Sequence, residues 1–426
     1  MIRLSHPMHL AALLALLAMT ACCPAGNSAM SKDSMTRQLM GDPENPYPLA
    51  SAPKVGDIVH LPTGTSVNLA QMLDIAGDAR VVYIGETHDN PASHLLELQT
   101  LQGLEQRHPG KVALGMEMFA LSQQPMLDRW VAGELDEKAF LKQSGWFENW
   151  KMDFEYYREL LIFARDRHIP IIALNAEKNL VQAVRSKTLE ELSAEEKAQM
   201  PEMDLNDPYQ RGMAQGIFGG HSHGKMHIDS FQRVQTLWDE VMAETAARYL
   251  ASPAGKDRHL LVIAGGNHIS YGFGIPRRVF RRLPISYVMI GGNEIEIAEE
   301  KKGQLMDVEL PDVPMVPYDF LAFLSYAGLP KQGVLLGVAF EPTPAGRGLL
   351  VKTVLPGSNA ERAGVKQDDL LLTLDGEKLS DSFDLVYAIK KKRAGDRSTL
   401  QVERQGKQLD LEVLYQADEA SSHGKQ

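Results

Sequence analysis

The chain of 426 residues contains only two cysteines, Cys22 and Cys23, and both lie close to its beginning. The rest of the chain therefore has no thiol for a disulfide, a zinc-thiolate site or a nucleophile. The zinc-protease motif His-Glu-x-x-His is also missing, and no internal repeat of solenoid length is present. Any metal ion must consequently be bound by histidine, carboxylate, tyrosine or methionine side chains.

An excess of positive charge is missing as well. The formal net charge is -11 at pH 7, which argues against nucleic acid or an anionic membrane surface as a general partner. The basic run IKKKR at 389–393 is interpreted as the solvated end of a helix. Since about 370 residues follow the N-terminal segment, the length predicts two globular domains.

The first residues have the pattern of an export signal. An apolar run from Leu10 to Met19 is followed by MTAC, which resembles a bacterial lipobox with Cys22 as the lipidated residue. A plain cleaved signal or an uncleaved anchor is the alternative. We predict a lipoprotein signal peptide over 1–22 and a tether over 23–53. This predicts a lipid-anchored protein of the cell envelope, at the outer membrane and facing the periplasm or the surface.

From Ala79 onward, short β-branched runs alternate with amphipathic helical stretches, as in RVVYIGE, PASHLLELQTLQGLEQRH and KVALGMEM. Uniformly apolar strands are typical of sheets that are covered on both faces. The pattern predicts an α/β domain over 54–302, with a mostly parallel sheet flanked by helices. Prolines in ELPDVPMVPYD indicate a linker over 303–331.

Polar side chains follow four of the predicted strands. They are Glu86, His88, Asp89, Glu117, Asn175, Glu177, Asn267 and His268. In open α/β sheets, ligands bind beyond the carboxyl ends of parallel strands, so we expect one shared pocket there. Singly, such residues also serve as helix caps or salt-bridge partners. The candidate catalytic set is Glu86, His88, Glu117 and His268.

This set of two imidazoles and two carboxylates is compatible with two kinds of chemistry. It can hold a divalent metal with an open position that activates water. It can equally work without metal, with a histidine abstracting a proton while a glutamate orients it. The residues alone leave both interpretations open.

The motifs VYIGETHDN, LGMEMF, FARDRHIPIIALNAE and LLVIAGGNHISYGFGIPRRV lie between about 75 and 295. This region resembles the ChaN family of haem-binding lipoproteins, within a broader group that includes erythromycin esterase-like and TraB/Tiki proteins. The resemblance implies haem binding and iron acquisition at the outer membrane, with Tyr and His side chains contacting haem in a homodimer. It also implies that the four candidate residues share a pocket.

A glycine-rich insertion contains the candidate haem ligands. The stretch GGHSHGKMH at 219–227 follows Tyr209 and supplies His221, His223 and His227. Tyrosine and histidine both ligate haem iron, and the glycines favour a segment that folds on a ligand. The alternative is a solvated loop whose histidines bind transition metals adventitiously.

Residues 332–416 resemble a bacterial PDZ domain through LLGV, VLPGSNAERAGVKQDDLLLTLDGEKL and SFDLVYAIKKK, and 417–426 follow as a tail. The resemblance implies that backbone amides around Leu336, Gly337 and Val338 bind a partner's C-terminal carboxylate while the peptide adds a strand. The alternative is a PDZ fold that is used only for intramolecular packing.

Two functions follow from these patterns. In the first, an exported lipoprotein binds haem or iron for uptake or handling, and its PDZ domain docks a partner peptide. In the second, the first domain is a hydrolase of peptidase or esterase type, either metal-dependent or His/Glu-driven, and the PDZ domain recruits its substrate.

Overall fold

The computed structural model describes residues 49, 51–219, 227–305, 308, 310, 313, 315–329 and 333–417. The chain divides into two compact units, of which the first ends at Leu329 and the second begins at Pro330. In the part of the chain described, no helix is both long and apolar enough to cross a membrane.

Several sequence predictions fall outside the described residues. They are the signal peptide with Cys22, most of the tether, and two of the candidate haem ligands, His221 and His223. All but the first residue of the predicted tail lies outside them as well.

The first unit contains one eight-stranded sheet. Its strands are β1 (Ile58–His60), β2 (Thr65–Val67), β3 (Val81–Glu86), β4 (Val112–Ala120), β5 (Ile171–Asn175), β6 (His259–Gly265), β7 (Tyr287–Ile297) and β8 (Phe320–Tyr326). Their order across the sheet is β2-β1-β8-β7-β3-β6-β4-β5. The pairs from β8 to β5 are parallel, whereas β1 pairs antiparallel with β2 and β8. The predicted mostly parallel α/β architecture is confirmed.

Helices connect these strands. They are α1 (Leu69–Ala76), α2 (Pro91–Arg107), α3 (Gln124–Val131), α4 (Glu137–Ser144), α5 (Trp146–Asn149), α6 (Arg158–Asp166), α7 (Lys178–Ser186), α8 (Ala194–Ala198), α9 (Pro208–Gly219), α10 (Ile228–Ala251), α11 (Gly266–Ile269), α12 (Ile275–Arg282) and α13 (Glu299–Lys302). Asn90 caps the predicted helix α2 by accepting from the amide of Ala92, and Pro91 opens it, as expected for an N-terminus.

The core of the first unit lies between the central strands and α10. All six residues of β3 are buried, which is expected for a parallel strand that is covered on both faces. Val81 and Tyr83 of β3 cluster with Val262 of β6 and with Ala246 of α10. Alternate residues of a strand share a face. The packing of these side chains therefore fixes the register of β3 and β6, and with it the positions of the strand ends where the candidate pocket lies.

The prediction of a linker over 303–331 is wrong for the second half of this range. Residues 320–326 form β8, which pairs with β7 and β1 inside the first sheet. The prolines mark only the segment before this strand, whereas FLAFLSY itself is an apolar run whose first four residues are buried. The first unit therefore extends past the predicted boundary at 302 to Leu329.

The described residues of the second unit form an antiparallel sheet and two α-helices. Its elements are β9 (Val338–Pro342), β10 (Leu349–Val354), α14 (Asn359–Arg362), β11 (Leu370–Leu374), β12 (Glu377–Lys378), α15 (Ser382–Lys390), β13 (Arg397–Arg404) and β14 (Lys407–Leu414). The strand order is β14-β13-β11-β10-β9, with β12 paired to β11. A separate core that includes Leu349, Leu371 and Leu400 holds this unit together.

Candidate functional site

Three neighbouring strands bring the candidate residues to one edge of the parallel sheet. Glu86 is the last residue of β3, Glu117 lies in the second half of β4, and His268 lies in α11 directly after β6. β6 pairs with both β3 and β4. The register between β4 and β5 breaks between Met116 and Ala120, and such irregularities re-aim side chains at strand ends.

Glu86 and His88 form one half of the pocket. Glu86 Oε1 accepts hydrogen bonds from His88 Nδ1 at 2.5 Å and from the Tyr157 hydroxyl at 2.8 Å. Burial, together with the neighbouring Glu97, raises the pKa of Glu86 to about 7. Burial alone would lower the pKa of His88, but Glu86 outweighs it and the pKa rises to about 9. The proton of this pair therefore resides on His88, whose side chain is 33% exposed.

His268 and Glu117 form the other half. His268 Nδ1 lies 2.7 Å from Asp239 Oδ1, and its Nε2 lies 3.6 Å from Glu117 Oε1. Glu117 Oε2 accepts the backbone amide of Gly265 at 2.8 Å. Burial opposes the charged form of His268, but Glu117 and Asp239 outweigh it, so its pKa is raised. A buried histidine held between two carboxylates is an arrangement suited to proton transfer.

The two halves approach each other at Gly265. A Cβ atom on this glycine would lie 3.1 Å from His88 Cε1 and 3.7 Å from Glu117 Oε2. Any larger residue would push His88 away from the strand end. The structure thus places Glu86, His88, Glu117 and His268 around one backbone position, while their catalytic or metal-binding roles stay predictions.

Three further polar residues of this region were not predicted from the sequence. They are His94, Glu97 and Asp239. His94 and Glu97 lie one turn apart on α2 and share a face, and Asp239 interrupts the stretch TLWDEVMA of α10. Carboxylates placed among apolar helical residues are rarely buried without a partner. The sequence pattern therefore indicates that these carboxylates have partners, but not where the partners lie.

Other strand-end residues are held away from the pocket by partners of their own. Asp89 binds Lys301 Nζ at 2.6 Å and accepts from the Tyr326 hydroxyl. These two partners outweigh burial and lower the pKa of Asp89. Glu177 accepts from the amide and the hydroxyl of Ser122. Both carboxylates therefore have structural roles that position the loops around the strand ends.

Among the described residues, one group of three histidine or carboxylate side chains has donor atoms that all lie within 4.8 Å of one another. It consists of Glu86, His94 and Glu97, all of which are buried. The sequence-predicted metal set shares only Glu86 with this group.

An aromatic stack lies near the start of α9. The exposed Tyr209 ring stacks on Phe273 at 5.2 Å and 22°, and Phe273 stacks on Tyr271 at 5.7 Å and 16°. The guanidinium of Arg277 lies 5.6 Å from the Phe273 ring centre. His227 is exposed and immediately precedes α10, which begins at Ile228.

This stack is connected to the pocket through the next residue of α9. Gln210 Nε2 donates to Asp239 Oδ2 at 2.6 Å, and the other oxygen of Asp239 holds His268. Arg278 in turn donates to Gln210 Oε1 and lies 3.0 Å from Glu240 Oε1. A chain of buried polar contacts thus links the Tyr209 region with the strand ends.

The peptide-binding segment predicted in the second unit lies at the start of an edge strand. Leu336 is buried, Gly337 has a φ of +84°, and Val338 begins β9. The amide of Ala360 donates to the Leu336 carbonyl at 2.8 Å, and that of Leu355 donates to Gly337 at 2.9 Å. β9 pairs with β10 on one side and is the last strand of the sheet. Such an edge can accept an added strand.

Comparison with known families identifies both units. Residues 72–279 match the family model described as "Haem-binding uptake, Tiki superfamily, ChaN". Residues 334–414 match the model of the PDZ domain. The chain therefore carries a ChaN-like domain followed by a PDZ domain.

Curated relatives match over a region of PDZ length. The serine protease Do-like HtrB of Bacillus subtilis is 38% identical over 79 residues, which are 18% of this chain and 17% of that protein. The periplasmic pH-dependent serine endoprotease DegQ of Escherichia coli is 37% identical over 76 residues, again 18% and 17% of the two chains. The chain thus spans less than a fifth of these relatives.

Two solved structures match parts of the chain. A structure titled "Cofacial heme binding to ChaN of Campylobacter jejuni" is 16% identical with a TM-score of 0.49, and the match covers 66% of this chain and 100% of that one. The HtrA3 PDZ domain bound to a phage-derived ligand is 22% identical with a TM-score of 0.19, covering 22% of this chain and 94% of that one.

Proposed function

We propose that the first unit binds haem and that the PDZ unit docks the C-terminus of a partner protein, within an exported lipoprotein that takes part in haem or iron uptake or handling. The observation that carries this proposal is the match of residues 72–279 to a haem-binding family model. The exposed Tyr209, whose ring stacks on the buried Phe273, lies inside the matched region.

The residues around Tyr209 fit haem. The Tyr209 side chain is 44% exposed, and a phenol oxygen is an axial ligand of haem iron in proteins. Tyr209 is backed by the buried ring of Phe273, which in turn stacks on the buried ring of Tyr271. Arg277, which is paired with Asp207, supplies a guanidinium of the kind that binds carboxylates such as haem propionates.

In this proposal haem is cargo, and Tyr209 holds its iron. His227 lies exposed at the start of α10 and supplies an imidazole. His221 and His223 complete the proposed ligand set from the glycine-rich segment. We further propose that a homodimer forms around haem, which sedimentation velocity with and without haemin measures.

The proposed location rests on the N-terminal sequence. The lipobox-like MTAC supports lipidation at Cys22 and anchoring at the outer membrane, facing the periplasm or the surface. Labelling cells with radioactive palmitate tests this directly, and Cys22→Ala is expected to abolish the label.

The haem proposal is tested by titrating the purified chain with haemin and recording the absorption spectrum. We expect a saturable Soret shift that is lost or displaced in Tyr209→Phe and weakened when His221, His223 and His227 are changed to Ala. Tyr249→Phe, much farther along the chain in α10, is the matched control and should titrate like the unchanged protein. A chain without a saturable shift does not bind haem, and a shift unchanged in the variants assigns haem to other ligands.

A hydrolase is the second candidate, and the pocket favours it. The contacts of His268 with Asp239 and Glu117, beside the partly exposed His88, provide proton-transfer groups that haem capture does not require. In this alternative, metal-dependent or His/Glu-driven cleavage of a peptide or ester follows recruitment by the PDZ domain. A panel of ester and peptide substrates should then show turnover that Glu86→Gln and His268→Ala abolish.

A further inference from the structure

The geometry points to a buried divalent metal site in the first unit, formed by Glu86 at the end of β3 and by His94 and Glu97 on α2. It is distinct from the haem surface at Tyr209. It also differs from the four-residue metal set that the sequence predicted, because only Glu86 is common to both.

The three side chains are closed to solvent and lack sufficient partners. The exposed fractions of the Glu86, His94 and Glu97 side chains are 0%, 4% and 0%. Glu86 Oε2 and Glu97 Oε1 are buried and have no hydrogen-bond partner. Buried carboxylates are normally paired, hydrogen-bonded or bound to a metal, so each of these two oxygens requires a positively charged or protic group near it.

The tautomer of His94 strengthens this requirement. His94 Nε2 lies 3.1 Å from the carbonyl oxygen of His88. A carbonyl can only accept, so Nε2 carries the proton and a neutral His94 presents the lone pair of Nδ1. That nitrogen lies 3.0 Å from Glu97 Oε2 and 3.3 Å from Glu86 Oε2. With a neutral His94, three electron-rich atoms therefore face one another, and a metal ion or an added proton would offset their repulsion.

The donor set favours a particular class of ion. One imidazole and two carboxylates suit Mn²⁺, Fe²⁺ or Zn²⁺, and the two carboxylates can each supply one or two oxygens. The hydrogen bond from His94 to the His88 carbonyl is the usual outer contact of a metal-bound histidine. Tyr157 and His88 already hold the other oxygen of Glu86.

Such an ion would affect the pocket by holding its side chains in place. It would fix the carboxylate of Glu86, and Glu86 orients the imidazole of His88 at the pocket surface. Because the three ligand side chains are almost inaccessible to solvent, the ion would join β3 to α2 and stabilise the strand end without contacting substrate.

The test uses the full chain without an affinity tag, with His221, His223 and His227 changed to Ala so that the insertion cannot bind metal. The protein is stripped with chelator and reloaded separately with Mn²⁺ and Zn²⁺. Elemental analysis and thermal unfolding measure the result. We expect one tightly bound ion per chain and a raised melting temperature, with Glu97→Gln and, separately, His94→Gln lowering affinity by about tenfold or more.

Glu117→Gln is the matched control, because it removes a carboxylate of the pocket but leaves the three ligands in place. Retention of metal by this variant is expected. If Glu117→Gln loses the metal and Glu97→Gln keeps it, the site is the four-residue set and the proposal is overturned.

A shared proton between the two carboxylates is the competing explanation. Glutamine resembles a protonated glutamate in shape and hydrogen bonding, so Glu97→Gln would then leave the melting temperature unchanged or raise it. That result, together with no uptake of either ion by the parent chain, would overturn the metal site. The haemin titration is a separate measurement and distinguishes this failure from failure of the proposed haem function.

Discussion

In the ChaN-like unit, ionisable groups from distant parts of the chain are buried together, whereas the PDZ unit keeps most of its ion pairs at the surface. The side chains of Arg278 and Glu240 are 2% and 0% exposed. In the PDZ unit, the corresponding fractions for Arg397 and Glu412 are 68% and 80%. The peptide recognition proposed for the PDZ unit rests on the backbone of an edge strand.

This difference separates two ways of building a ligand site. Buried charged groups hold a fixed geometry, because each group needs its partners to offset desolvation. An edge strand supplies the same backbone groups to many sequences and leaves the choice of partner to side-chain contacts. The first unit is therefore expected to tolerate few changes at its polar centre, and the second to tolerate many.

The largest expected effect is the loss of Arg278. Arg278→Met leaves the buried Gln210 Oε1 and part of the Glu240 charge without their partner. We expect the free energy of unfolding of the first unit to fall by about 3 to 5 kcal/mol, as for other broken buried pairs. All four tryptophans lie in the first unit, so urea unfolding followed by tryptophan fluorescence measures this unit.

Arg248→Met is the control for this change, because Arg248 pairs with Glu244 on the exposed surface of α10. Its effect should stay near 0.5 kcal/mol or less, roughly the value of an exposed pair one turn apart. Equal losses in the two variants would contradict the contrast between buried and exposed pairs.

The PDZ unit contains one pair that sharpens the comparison. Arg404 binds both oxygens of the buried Asp369 at 2.7 Å, but its own side chain is 25% exposed. Arg404→Met should therefore lower the local stability of the PDZ sheet by about 1.5 to 3 kcal/mol, the range for hydrogen bonds to charged groups. Hydrogen exchange of the β13 amides measures it, with Arg397→Met as the exposed control. A loss as large as that of Arg278→Met would show that partial exposure does not lessen the effect.

Peptide docking should be sensitive to Gly337. A Cβ on this residue would lie 2.2 Å from Ser358 Cβ, and its φ of +84° disfavours other residues. Gly337→Ala should weaken binding of a labelled peptide with a free C-terminal valine by about tenfold or more, since loop strain is of order 1–3 kcal/mol. Fluorescence anisotropy measures the affinity.

The matched control is Gly357→Ala, where φ is +71° but a Cβ would meet nothing within 4 Å. It should bind the peptide nearly as well as the unchanged chain. If both alanine variants bind equally, the carboxylate-binding loop is not at Gly337.

The smallest effect is the pH dependence of His268. Its pKa is raised because Glu117 and Asp239 outweigh burial. Its stabilising contribution is therefore complete below the unfolded pKa of about 6.5 and is lost as the pH rises through the folded pKa. The difference in unfolding free energy between the unchanged chain and His268→Gln should shrink as the pH rises above about 6.5. A difference that grows with pH would contradict this assignment.

The strand ends were predictable from sequence, but their surroundings were not. Apolar runs that end in Glu86 and Gly265 identify buried parallel strands and the edge where their polar residues meet. The contributions of His94 and Asp239 depend on the rotation of α2 and α10 about their axes. That rotation is set by packing over the whole sheet, which a local pattern does not contain.

The linker was predicted incorrectly for a related reason. Prolines punctuate the chain before β8, but only pairing with β7 and β1 shows that 320–326 belongs to the first sheet. The pairing of β1 with β8 joins residues that are more than 200 positions apart in the chain, and a local sequence pattern cannot reveal such a pairing. The prolines therefore indicate an irregular segment, but they do not locate the boundary between the two units.

The indole of Trp150 stands edge-on to the imidazole of His88, with ring centres 4.9 Å apart and an angle of 82°. A charged imidazole quenches a neighbouring indole, so the emission of Trp150 should brighten when His88 loses its proton. The fluorescence of Trp150 thus reports the protonation of His88 in the pocket, and it can be followed in real time without an added dye.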